Sequence, residues 1–83
     1  MNTTRTTTRN RRRDARSAAR TITTRLRAEA RRQGTGVIRL HQKTGLDRLA
    51  TLRIWFGINP SAWSIERCRE VLGLSIEQVW EVR

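Results

Sequence analysis

Residues 37–57, VIRLHQKTGLDRLATLRIWFG, decide how this chain folds. Val37, Ile38 and Leu40 open a helical segment that turns polar at Gln42 and Lys43. Gly45 can take a positive φ, which ends a helix and reverses the chain at little cost. Asp47 then stands where an N-cap belongs, because its carboxylate can accept from the free N–H groups of the next helix. That helix is predicted from about residue 48 to 56, with Gly57 ending it. The stretch therefore predicts two short helices around a tight glycine turn.

Such a pair fits a helix-turn-helix, whose second helix enters the DNA major groove. Downstream, Asn59-Pro60 marks a turn, and Pro60 can start a helix because its missing N–H is not needed there. A fourth helix is predicted over about 61–72, with Ile65, Cys68, Val71 and Leu72 inward and Gly73 closing it. Ser75 then caps a last helix, over about 76–82, with Glu77 and Glu81 on its outer side. Upstream, Asp14 can cap a helix running to about Arg32. Its Ala15, Ala18, Ala19, Ile22, Leu26 and Ala30 recur at three- and four-residue spacing, with Arg16, Arg20, Arg27 and Arg31 largely off that stripe. Thr21, Thr23 and Thr24 are stiff in a helix, and the half of the helix before them is expected to fray. Gly34 and Gly36 bracket a turn and, with no strand before them, do not make a phosphate loop. No segment alternates with period two for long enough to be a strand. The expectation is an all-α chain: a compact five-helix domain over residues 14–83 behind a flexible basic arm over residues 1–13.

Charge separates the arm from the domain. The 83 residues carry a formal net charge of +11, which points to a polyanionic partner, most simply nucleic acid. Residues 1–33 hold eleven Arg against Asp14 and Glu29, or +9; residues 34–83 hold seven Arg and Lys against five acids, or +2. The arm has no apolar residue between Met1 and Arg13 and cannot bury enough surface to offset the entropy of ordering. Two readings of it stand: a solubilising tail, or an arm whose Arg9, Arg11, Arg12 and Arg13 follow phosphates or enter a minor groove. Cys68 is the single cysteine, so neither an internal disulfide nor a cysteine metal cluster is expected, and a reducing interior suits the chain. No apolar run approaches a membrane span, and no apolar block follows the basic start as a secretory signal requires. The expected location is the bacterial cytoplasm, on the nucleoid through DNA.

The order of elements resembles the lambda-repressor-like helix-turn-helix family, which includes phage repressors, Cro proteins and many bacterial regulators and antitoxins. The residues that carry the resemblance are Thr44-Gly45-Leu46-Asp47, the spacing from Gly57 through Asn59-Pro60-Ser61, and Val71-Leu72-Gly73-Leu74-Ser75 followed by Ile76 and Val79. It spans about residues 21–82 and implies a compact helical bundle that binds DNA as a dimer. It also implies that the base-reading positions fall on Arg48, Leu49 and Arg53. Arg48 and Arg53 can each make a two-pronged bond to guanine O6 and N7, and Leu49 or Ala50 can touch a thymine methyl. Arg39, Gln42, Lys43, Asn59 and Ser61 are expected at phosphates, where they position the helix without reading sequence.

His41 has no Cys partner and no second His, so a packed or phosphate-near histidine is expected rather than a metal ligand. No nucleophile–base set or paired-carboxylate geometry can be assembled, so no enzyme, cofactor or small-molecule ligand is expected. Three Trp in so short a chain leave three readings open: core filling, a self-association surface, or base stacking. Ile76, Val79 and Trp80 are more apolar than one short helix easily buries in so small a domain, and are the expected homodimer contact.

The leading expectation is a sequence-specific double-stranded DNA-binding regulator, Cro- or repressor-like, dimeric on a roughly palindromic operator and acting by occupancy. Seventeen Arg against one Lys suggests GC-rich coding, which fits an actinobacterial phage or prophage. An antitoxin that binds DNA and also masks a toxin is the second reading, and an excisionase-like architectural protein that bends DNA is the third.

Overall fold

The structure is a computed structural model that describes the backbone of residues 3–81 and the side chains of residues 17–81. Five helices follow one another: α1 (Thr3–Arg32), α2 (Val37–Thr44), α3 (Arg48–Phe56), α4 (Ala62–Leu72) and α5 (Ile76–Trp80), with no strand among the described residues. α1 packs against α3, α4 and α5, while α2 packs against α3 and α4.

α1 differs most from expectation. The helix predicted to begin at Asp14 begins at Thr3, so Asp14 lies inside it and the arm expected to be without structure carries helical backbone over residues 3–13. No Gly or Pro interrupts the chain before Gly34, and the Arg of residues 3–13 favour helix where their Thr and Asn do not, so no stop signal ends the helix short of Thr3. The threonines are accommodated by back-bonding: Thr21 Oγ1 donates to Ser17 O at 3.0 Å and Thr23 Oγ1 to Ala19 O at 2.9 Å. The side chains of Arg9, Arg11, Arg12 and Arg13 lie outside the described residues. Beyond Arg32 the chain turns at Gly34, and Thr35 N–H donates back to Ala30 O at 2.7 Å, closing the helix end.

The later boundaries follow their caps. Ser61 accepts from Ser64 N–H and Ser75 accepts from Gln78 N–H; Gln78 Oε1 accepts from Ser75 N–H in return, a capping box. Ser61, rather than Pro60, therefore precedes the first residue of α4. α5 stops at Trp80, with Glu81 extended, and the rest of the turn expected through Val82 lies outside the described residues. Arg25 holds that end: its guanidinium Nη1 donates to the carbonyls of Gln78, Val79 and Glu81 at 3.4, 3.3 and 2.6 Å.

The core lies where the five helices converge: Ile22, Leu26 and Ala30 from α1, Leu40 from α2, Leu46 from the turn, Ile54 from α3, Ile65, Cys68 and Leu72 from α4, and Val79 from α5. Each fully buried Leu or Ile contributes about 1.5–3 kcal/mol over exposure. Of the expected α1 stripe, Ile22, Leu26 and Ala30 are buried, and Ala18 and Ala19 are half-buried. Val71, expected inward, is half-buried.

Candidate nucleic-acid interface

The segment from α2 to α3 is built as a rigid corner. Gly45 adopts φ 72° and its N–H donates to His41 O at 3.1 Å. Thr44 Oγ1 donates to Leu40 O at 2.7 Å and accepts from Leu46 N–H at 3.2 Å, which turns the chain so that Leu46 drops into the core. Asp47 Oδ1 accepts from Ala50 N–H at 2.7 Å and caps α3. Thr51 sits buried beneath it, its Oγ1 donating to Asp47 O at 2.9 Å. From α4, Arg67 Nε donates to Thr44 O at 2.8 Å and satisfies a carbonyl at the end of α2.

That corner fixes which side of α3 faces out. Thr51 and Ile54 are buried, Ala50 and Trp55 are half-buried, and Arg48, Leu49, Leu52, Arg53 and Phe56 are exposed. The exposed set recurs at i, i+1, i+4, i+5 and i+8 and so forms one face. α2 repeats the pattern: Ile38, Arg39, Gln42 and Lys43 are exposed at i, i+1, i+4 and i+5, with Leu40 beneath. Between the two helices runs an open groove of about 400 Å³ lined by Val37, Ile38, His41, Arg48, Thr51 and Leu52. A smaller depression of about 100 Å³ brings Arg53, Leu49 and Asp47 beside Ser61.

Of the residues expected at bases, Arg48, Leu49 and Arg53 share the outer face of α3, while Ala50 is half-buried and packs against the core. Of those expected at phosphates, Arg39, Gln42 and Asn59 are exposed, and Asn59 holds φ 45° in the turn after α3. Lys43 is exposed but tethered, its Nζ donating to Thr35 Oγ1 at 3.1 Å. Ser61 is committed to capping α4, and its hydroxyl donates to Ser64 Oγ at 2.7 Å. The expected dimer contact needs a correction: Val79 is wholly buried in the core and cannot meet a second copy. Ile76 is exposed, and Trp80 is half-buried with Nε1 donating to Glu66 Oε1 at 3.1 Å.

No family model, curated protein or solved structure matches the chain.

Several groups that shape this face gave no signal in the sequence. Arg27 Nη1 donates to Trp55 O at 3.3 Å, and the Arg31 guanidinium lies 5.7 Å from the centroid of the Trp55 ring. Two α1 cations thus hold the C-terminal turn of α3, one at a carbonyl and one over an aromatic face. Spacing within α1 put both off the apolar stripe but could not say what they would meet. His41 is half-buried, and its Nδ1 is buried with no hydrogen-bond partner among the described residues. Cys68 lies in the core, where burial pushes its thiol up to about 11. Among the described residues no three His, Cys, Asp or Glu gather as metal ligands, and no helix is long and apolar enough to cross a membrane.

Proposed function

We propose that the chain is a sequence-specific double-stranded DNA-binding regulator that uses α2 and α3 as a helix-turn-helix and acts by occupying its operator as a dimer. The observation that carries this reading is the outer face of α3, where exposed Arg48 and Arg53 flank a helix whose opposite side is locked by Asp47, Thr51 and Ile54. A helix held so firmly on one side presents its other side at a fixed angle, as base reading requires. The exposed Arg39, Gln42 and Asn59 on either side of that face suit phosphate contacts. A net charge of +11 supplies the attraction that brings a polyanion to the surface.

The test is binding of the full chain to duplexes selected from a random pool. Arg48→Ala or Arg53→Ala should each cost about 1–3 kcal/mol on the selected site and little on unrelated duplex. Equal losses on both would reduce the two arginines to phosphate contacts. No selection at all would reject the reading.

A further inference from the structure

The outer face of α3 carries more apolar surface than base reading by arginine requires. Leu49 is 59% exposed and Leu52 38%, and Leu52 shares the α2–α3 groove with Ile38, which is 71% exposed. Cations bracket this strip. Arg48 lines the groove beside Leu52, and Arg53 lines the small depression beside Leu49. A second copy of a chain with net charge +11 is repelled from such a bracket. Duplex DNA is not repelled, because its phosphates are the complement of those cations. The edge of the major groove offers one apolar group, the C5-methyl of thymine.

Resting on the DNA-binding reading above, we infer that Leu49 and Leu52 recognise thymine through its C5-methyl, between guanines taken by Arg48 and Arg53. α3 rises about 1.5 Å per residue, so the two arginines stand roughly 7.5 Å apart along its axis, about two base-pair steps of 3.4 Å. Leu49 and Leu52 lie between them in the chain and on the same face. Each half-site therefore holds thymine within the short run that the two arginines bound.

The experiment uses the full chain. Duplexes retained from a random pool are sequenced, and the recovered site is rebuilt with deoxyuridine replacing each thymidine in turn. This exchange removes one methyl and leaves every hydrogen-bonding edge unchanged. At one or more positions in each half-site, affinity should fall about fourfold, the factor equivalent to about 0.8 kcal/mol for one buried CH₂-sized group. In Leu49→Ala or Leu52→Ala, the thymidine and deoxyuridine duplexes should then bind equally at the position that the lost side chain covered. Both side chains are exposed enough for truncation to leave the fold intact, which circular dichroism checks. A recovered site at which no deoxyuridine weakens binding overturns the inference and leaves the DNA reading standing. A pool with no enriched sequence overturns both. Variants that keep the full methyl penalty also overturn the inference, because other groups would then read the methyl.

Discussion

Gly57 carries two constraints at once. Its φ of 69° is one that side chains rarely adopt, and a Cβ there would stand 2.8 Å from Thr23 Oγ1 on α1. Gly57→Ala should therefore cost more than the roughly 1–2 kcal/mol of the left-handed backbone alone. Adding Thr23→Ala should recover part of that loss in a chemical-denaturation cycle; strictly additive losses would show that the backbone, not the contact, sets the cost. Glu29 offers a test by pH. Hydrogen bonds from Arg32 and then Gln33 lower its carboxyl from 4.5 to about 2. A carboxyl with a depressed native value stabilises the fold above its unfolded value and loses that contribution as pH falls. The melting temperature of wild type should drop between about pH 4.5 and 2 by more than that of Glu29→Gln. Parallel curves for the two proteins would remove Glu29 from the acid response.

At the scale of the element, α3 depends on its cap. Asp47 is the side chain that accepts from Ala50 N–H, and Asp47→Ala should lower stability by about 0.5–2 kcal/mol. Its effect on specific DNA binding should be larger still, because the turn that frays carries Arg48 and Leu49. Comparing calorimetric stability with affinity for a selected duplex checks this, and a loss of affinity no greater than the loss of stability would separate the cap from recognition. Most of α2 to α5 was legible because most boundaries have their own chemistry: Gly45, Gly57 and Gly73 at positive φ, and Asp47, Ser61 and Ser75 as acceptors. The start of α1 was not legible, because a run without Gly or Pro contains no stop signal and Asp14 is a cap only where a helix actually begins. On α3, exposed Arg48, Leu49 and Arg53 were picked out by the resemblance, not by spacing, and half-buried Ala50 was not distinguished from them. Arg27, Arg31 and Arg67 reach carbonyls or a ring on other helices, and no local period encodes such a reach. Val79 was misplaced for a related reason. Three apolar residues in one short helix do not reveal which of them the remaining helices cover.

For the molecule as a whole, the uneven charge makes a quantitative claim. Deleting residues 1–13 removes five Arg, and if each meets a phosphate the slope of log K against log salt should flatten by up to about 4–5 units. An unchanged slope would leave the segment as a solubility tail. A dimer contact at the α5 end would rest on exposed Ile76 beside half-buried Trp80. Two-fold pairing would set the recognition helices about 34 Å apart, one turn of DNA. Ile76→Ala, at an exposed position, should weaken self-association in sedimentation while the monomer stays folded. An undiminished dimer in that variant would move the contact elsewhere.

The Arg25 clamp also bears on how firmly α5 is held. It joins residues 56 apart, and α5 has only five residues, too few to hold helical structure alone. The helix therefore depends on its docking against α1 and on the burial of Val79 in the core. A short element held mainly by such non-local contacts opens more readily than the core helices. Amide protons of α5 should exchange through a partial opening well below the global unfolding free energy, and Arg25→Ala should speed their exchange while leaving that of α3 unchanged.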